Sequence, residues 1–396
     1  MPPLELRDMQ LPAFFRNVRV LQVLAQIVFV LLLALAAGFL YANVTTNLAR
    51  QGLTVGYDFI TNPASFDIGE SYISYQASDS YGRALLVGLV NTLAVSALGI
   101  ILTTIVGVIA GIARLSSNWL ISRLAASYVG VIRNTPLIIQ LMFWYFGIIL
   151  QLPRVKEAIA LPGSVYLTQR GLYLPWYEPM PTFESWRVFI WIALVSLAVI
   201  WFIFRWIQNR SELPLPLWSY PAYILVPILI LWIGFNVQPE PPFIANFPEL
   251  VGLNFRGGLR FTPEFAALLF GLVVYTGAFI AEIVRAGIQA VSRGQVEAAR
   301  SLGLTSTQSL RLIIFPQALR VIIPPMTSQY LNLAKNSSLA IAIGYPDLFS
   351  IAGTVINQTG ATLEVIAIMM LSYLSMSLFT SLLMNMYNNR MRLVER

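Results

Sequence analysis

The sequence contains no cysteine and no histidine. Those two absences exclude a thiolate nucleophile, an imidazole base, a zinc site of the usual ligand set and an axial haem histidine. Lysine is nearly missing as well: Lys156 and Lys335 stand alone, and neither follows a glycine. A P-loop needs Gly-Lys-Ser/Thr so that backbone amides and a lysine can hold phosphates, so nucleotide hydrolysis by that route is excluded too. Charge of either sign is scarce, at 11% of 396 residues against about 25% in a soluble domain. Hydrophobic residues make up 57%, and the mean hydropathy is +0.71. A disordered chain, a water-soluble globule and a disulfide scaffold are all ruled out. What remains is a protein whose solvent is mainly lipid.

The gaps between charged residues locate the membrane spans. Charge-free runs extend over Val20–Ala49, Ala84–Ala113, Asn134–Pro153, Val188–Phe204, Leu213–Pro239, Phe265–Ala281 and Val365–Asn389. About 20 apolar residues at 1.5 Å each cross a hydrocarbon core of roughly 30 Å, and all seven runs reach or approach that length. An eighth span is expected from Val321 to Tyr345, interrupted by Lys335, with a re-entrant or surface segment as the alternative. The fold class expected is therefore an all-α integral membrane protein of about eight transmembrane helices. The first run continues through Tyr41, longer than a typical signal-peptide core, and reads as an uncleaved anchor.

With both termini cytoplasmic, the inside segments hold 16 arginines, from Arg7, Arg16 and Arg19 at the start to Arg390, Arg392 and Arg396 at the end. The outside segments hold 8 basic residues, including Arg83, Arg154, Lys156 and Arg260. This is the positive-inside bias of a multi-pass protein, so the net charge of +7 is an insertion signal. No basic run with interleaved aromatics suggests nucleic acid. Residues 153–186 and 237–263 are rich in proline, and the former carries Trp176 and Trp186, as expected of ordered external segments at the interface. The chain divides on this reading into an anchor span and external segment (1–83) and a membrane domain (84–390). The latter has an insertion at about 153–263 and a cytoplasmic loop at 284–320.

That loop is too polar for lipid and has helical punctuation. Ser292 with Gln295 is a capping-box signature, and Gly303 is placed to end the helix in a left-handed conformation. Thr305 with Gln308 repeats the signature for a second helix, which Pro316 should limit or kink. Glu297 in the early turns suits the positive helix end, and Ala298 and Ala299 allow close approach to another surface. Spacing alone leaves two readings open, a docking projection or an amphipathic connector lying on the bilayer.

The stretch Gly294-Gln295-Val296-Glu297-Ala298-Ala299-Arg300-Ser301-Leu302-Gly303, with Ile314-Phe315-Pro316 beyond it, resembles the EAA loop of ABC importer membrane subunits. Arg133-Asn134-Thr135-Pro136-Leu137, running on to Gln140 and Phe143-Trp144-Tyr145-Phe146, is similar to a stretch of polar amino-acid uptake permeases, as is Lys335-Asn336-Ser337-Ser338-Leu339. Asn134 and Asn336 depart from the commoner Gly and Asp. The resemblance covers about residues 84–390, and the extra N-terminal span and inserted helix pair are similar to the longer permeases of general L-amino acid systems.

The resemblance implies a type I ABC importer permease core in the cytoplasmic (inner) membrane. It implies cytoplasmic ABC ATPase subunits that carry ATP and Mg, a second permease subunit, non-identical or a homodimer mate, and an extracytoplasmic amino-acid-binding protein. No cofactor is expected on this chain. Coupling to the ATPases is assigned to Glu297, Ala298, Ala299, Gly303 and Pro316. Gln140, Glu282, Lys335, Asn336, Ser337 and Ser338 are the candidates for the substrate path. Each has a plainer alternative. Lys335 could be a structural ion-pair partner or snorkel from a helix end, Glu282 could pair with Arg285 at i+3, and Gln140, Asn91 and Thr92 could be interhelical glue. The rival functional class is an ion-coupled secondary amino-acid transporter, which would need buried carboxylates. Glu282, Asp347 and Glu364 are the candidates, all near span ends.

Overall fold

The computed structural model describes residues 18–50, 56–210 and 219–391. Arg7, Arg16, Arg392 and Arg396, used above for orientation, lie outside these residues, as do residues 213–218 of the fifth apolar run. Each apolar run contains a helix among its described residues, in the expected order. Among the described residues, six helices are long and apolar enough to cross a membrane, over Val20–Asn47, Tyr81–Ala113, Phe183–Gln208, Pro263–Gln289, Thr307–Ile343 and Thr362–Asn388. The other two, Leu137–Gln151 and Pro221–Val237, are shorter apolar helices.

The α-helices are α1 (Val18–Arg50), α2 (Tyr81–Ala113), α3 (Trp119–Arg133), α4 (Leu137–Met142), α5 (Phe183–Arg210) and α6 (Ser219–Val237). They continue with α7 (Pro263–Gln289), α8 (Arg293–Ser301), α9 (Ser306–Ser309), α10 (Phe315–Asn336), α11 (Leu348–Thr359) and α12 (Thr362–Met391). Local chemistry sets several of the starts. Asn118 accepts from the Leu120 and Ile121 amides to cap α3. Thr262 accepts from Phe265 N at 3.1 Å ahead of Pro263 and Glu264, a favourable opening for α7.

The chain forms two compact units. One comprises residues 1–90 and 348–376. Its core joins Phe59, Ala64, Tyr81, Ala84 and Leu85 to Leu348, Ile351, Ala352, Val355 and Val365. Two long-range bonds reinforce it: Gly56 N donates to Glu364 Oε1 at 2.8 Å, and Tyr81 Oη to Gln358 Oε1 at 3.0 Å. The apolar window of α1 has none of its residues buried, so its stability comes from its own backbone bonds and its lipid surroundings.

The other unit comprises residues 91–347 and 377–396, and α7 runs through its core. Lipid supplies no hydrophobic drive for helices to associate, so they hold together by close packing of small residues and by a few hydrogen bonds. A Cβ on Gly107 of α2 would lie 2.5 Å from the Ile280 side chain, and one on Gly111 would lie 2.8 Å from Ala281 O. Thr103 Oγ1 donates to Val273 O at 3.3 Å, and Tyr128 Oη of α3 donates to Val274 O at 2.7 Å. Gly287 repeats the device against Ile322 of α10, at 2.3 Å.

The insertion contains structure that the hydropathy pattern does not signal. Its helical part is the expected pair, with α5 and α6 packed together and a Cβ on Gly234 placed 2.4 Å from Phe189. The segments flanking the α5–α6 pair add eight short strands among the described residues: β1 (Ile159–Leu161), β2 (Val165–Thr168), β3 (Gly171–Leu174), β4 (Trp176–Pro179), β5 (Phe243–Asn246), β6 (Glu249–Val251), β7 (Asn254–Arg256) and β8 (Leu259–Phe261). They pair antiparallel as β1-β2-β3-β8, β4-β5 and β6-β7. Residues on either side of the α5–α6 pair thus zip together, Leu172 opposite Phe261 and Tyr177 opposite Ala245. Tyr173 and Phe255 form the small core of this layer together with Val155.

One expectation is corrected. The helix carrying Lys335 does not begin at Val321: α10 starts at Phe315, and Pro324 and Pro325 lie inside it. They lack the N–H groups that would bond the carbonyls four residues back, an interruption that membrane helices tolerate. Gly107→Ala should lower the thermal unfolding temperature in detergent, by overpacking worth about 1–3 kcal/mol. Gly130→Ala, whose Cβ would meet nothing within 4 Å, should leave it unchanged or slightly raised.

Candidate functional site

The polar loop folds as a helix, a glycine stop and a second helix. Ser292 stands in extended conformation ahead of α8, but its hydroxyl makes no capping bond. The expected capping box is absent at this end because Gln295 N already donates to Ser292 O at 3.1 Å. The other end is as expected. Gly303 has φ +76, Leu304 N donates to Ala299 O at 3.1 Å and Gly303 N to Arg300 O at 2.9 Å, the paired bonds of a Schellman motif. Thr305 and Gln308 do form a reciprocal box: Thr305 N donates to Gln308 Oε1 at 2.9 Å, and Gln308 N to Thr305 Oγ1 at 3.3 Å.

Pro316 does not limit the helical path, which runs through it. It occupies the first turn of α10, directly after a π-helical turn at Leu310–Ile314. A proline ring crowds the carbonyl four residues back, and a π turn there widens the ladder to accommodate it. The helical path therefore continues from Thr307 to Ile343.

The three EAA residues divide by exposure. Ala299 is fully buried, on a helix that packs against the π turn. Glu297 and Ala298 are exposed. Beside them Leu302 is 78% exposed, an apolar knob that the motif-based reading passed over. Its signal in the sequence was a leucine in the position just before the terminating glycine, where the chain turns away from its own packing.

The path candidates do not form one cluster. Gln140 is buried in α4, and its Nε2 donates to Ile132 O and Thr135 O, both at 2.9 Å. It staples α4 to the end of α3 across the Asn134-Thr135-Pro136 turn. Asn91 likewise donates to Pro346 O at 2.9 Å, the glue role. Lys335 is exposed on the last turn of α10 and has no ion pair among the described residues. Asn336 is half-buried and Ser337 buried. The Ser337 and Ser338 hydroxyls donate to Ala334 O and Lys335 O, so they are satisfied within their own helix. The α4 segment and Ser337–Ile343 meet through Leu137, Leu141, Ala340 and Ile343 of one core.

Glu282 is occupied by arginine. Arg285 Nε donates to it at 3.2 Å from one turn away, as one reading expected. Arg114, from the end of α2, also bonds it, and Arg133 Nη1, from the end of α3, lies 3.7 Å off. Arg133 also sits over the Phe279 ring, 5.1 Å from its centroid. One carboxylate thus ties three helix ends together. Sequence reasoning found the i,i+3 pair but not the other two arginines, because they approach through helix crossing.

Comparison with known proteins agrees with this architecture. The family described as binding-protein-dependent transport system inner membrane component matches residues 216–393. The amino-acid ABC transporter permease protein YhdX of Escherichia coli is 46% identical over 96% of this chain and 97% of its own length. The general L-amino acid transport system permease protein AapQ of Rhizobium johnstonii is 44% identical over 93% of this chain and 92% of its own. The glutamate/glutamine/aspartate/asparagine transport system permease protein BztB of Rhodobacter capsulatus is 39% identical, covering 94% and 93%.

Glu282→Gln should destabilise the protein by about 1–3 kcal/mol, between the exposed and buried ion-pair limits, read as a lower unfolding temperature. Gly303→Ala should cost about 1–2 kcal/mol of left-handed strain, read as faster amide exchange across α8 with the rest of the molecule unaffected.

Proposed function

The chain belongs to the amino-acid ABC transporter permeases, multi-pass inner membrane components of binding-protein-dependent transport systems, and from that premise we propose that it is the translocating subunit of an ATP-driven amino-acid importer. One observation carries the mechanical part of this reading. The projection presents Glu297, Ala298 and Leu302 outward, while Ala299 is buried and α8 packs on the π turn that leads into α10.

Cytoplasmic ATPase subunits grip that outward face, and they hold ATP and Mg; this chain holds neither. Closure of the ATPases around nucleotide pulls on α8. The α8 helix bears on the π turn, so the pull enters α10 as a displacement of its near end. From Thr307 to Lys335 the helical path is roughly 40 Å long at 1.5 Å per residue. A movement of the projection is thereby carried to the Lys335-Asn336-Ser337-Ser338 segment. Lys335, exposed and without an ion pair among the described residues, is the group in that segment suited to meet a carboxylate of the solute as access alternates.

Both termini face the cytoplasm, an extracytoplasmic amino-acid-binding protein delivers solute to the external segments, and a second, non-identical permease completes the path. The inserted α5–α6 pair and the α1 span favour that unequal pairing over a homodimer. The comparisons give no support to the ion-coupled rival. Of the acids that rival would use, Glu282 is held by arginine and Glu364 accepts from Gly56 N.

The test is radiolabelled amino-acid uptake by the intact complex in vesicles. Uptake should require ATP and persist when ion gradients are collapsed. Glu297→Arg and Leu302→Asp should each lower it tenfold or more without affecting membrane insertion. Wild-type uptake by both variants would refute the docking role, and uptake lost on gradient collapse would refute the ATP-driven reading.

A further inference from the structure

Two cavities adjoin in the strands flanking the α5–α6 pair. One, of about 400 Å³, is walled mainly by Tyr166, Pro248, Leu250 and Phe255. The other, of about 310 Å³, is lined by Arg154, Glu157, Gln169, Arg170 and Leu253. Val155 and Lys156 line both, so the two share a wall. Small-molecule pockets span about 300–1,000 Å³, and each cavity falls in that range. The larger has firm apolar sides. Val155 and Phe255 are buried with Tyr173 in the core of the layer. The Tyr166 ring stacks on Phe255 with centroids 4.5 Å apart, and strand register sets Leu250 opposite Phe255. The acid in its lining, Glu249, has Arg256 as its register partner, a cross-strand neighbour of opposite charge.

The smaller cavity is cationic, and its cations are held through backbone groups. Gln169 N donates to Pro153 O at 3.0 Å, which ties the β2–β3 turn to the segment carrying Arg154 and Lys156. Arg170 N donates to Thr168 Oγ1 at 3.0 Å, and Arg170 Nη1 to Leu253 O at 3.1 Å. Arg260 Nε donates in turn to Arg170 O at 3.2 Å. A carbonyl acceptor orients a guanidinium without neutralising it. Arg154, Lys156 and Arg170 enter no ion pair among the described residues, and Glu157 is the one acid lining their cavity. Three cations against one acid leave a positive field that an anion complements, with charge-assisted hydrogen bonds on offer. Lys156 stands on the wall shared with the aromatic side, so an anion bonded there can keep an apolar body against Tyr166 and Phe255.

We propose that the two cavities form one binding site for a small organic carboxylate with an aromatic or branched apolar body. The body lies against Tyr166, Leu250 and Phe255, and the carboxylate meets Lys156, with Arg154 and Arg170 on the far side of the shared wall. The site belongs to the insertion, not to the coupling loop or the Lys335 segment, and stands independently of the transport reading.

The purified protein, with the subunits that accompany it, is to be irradiated with a benzoate bearing a para diazirine and, separately, with the neutral carboxamide of the same compound. The benzoate should label peptides containing Tyr166, Leu250 or Phe255 at least tenfold over the carboxamide. Lys156→Gln should cut that labelling tenfold or more, and so should Leu250→Trp, which fills the apolar cavity. Both positions are exposed, so the variants should keep the wild-type unfolding temperature. Arg123→Gln, an exposed cation on α3, should leave labelling unchanged, as should Glu297→Arg in the coupling loop. Equal labelling by acid and amide, labelling confined to other peptides, or full labelling of Lys156→Gln overturns the proposal. An equal fall in Arg123→Gln also overturns it, since net charge alone would then account for the selectivity. So does a companion subunit that cross-links to Lys156 and shuts the benzoate out, which would make the surface a protein contact.

Discussion

The approach of α7 to its neighbours at glycine is the constraint on which the larger unit rests. Where two helices in lipid must hold together without a hydrophobic drive, the distance between their backbones decides how many contacts they make. Gly107 and Gly111 on α2, and Gly287 on α7, leave room that a Cβ would fill at less than 3 Å. That closeness lets Thr103 and Tyr128 reach α7 carbonyls across the crossing. It also brings the ends of α2 and α3 within reach of Glu282, so the arginine cluster is a consequence of the glycine packing.

The same economy of contact holds the polar loop against the helical turn beside it. The α8 helix is nine residues long, too short to be stable alone in water. It persists because the Schellman motif closes its end, Ala299 is buried and the helix packs on the π turn. Packing at that turn joins α8 to the helical path that continues into α10, although the two are separate in sequence. The π turn thus has two functions, relief of the Pro316 ring and a seat for the projection.

Much of this was legible beforehand. Charge-free runs gave the helices and their order, because lipid penalises charge so heavily that its absence is a clean signal. Gly303 could be read as a helix stop, since only a left-handed residue closes the turn in that way. The Ser292 box could not, because backbone and side chain compete for the same amide and the sequence does not say which prevails. The strands of the insertion were hidden for another reason. Each is only three or four residues long, and partners such as Leu172 and Phe261 are separated by the whole α5–α6 pair.

The sequence by itself determined that the chain lives in lipid, where its helices run and where its polar projection emerges, because burial in hydrocarbon and helix termination depend on neighbouring residues. Tertiary structure decided which candidates are free and which are spent. Gln140 became a staple and Glu282 a tie for three arginines, while Lys335 and Leu302 stayed exposed. Those outcomes turn on distances between segments far apart in the chain, and no local pattern of residues encodes them.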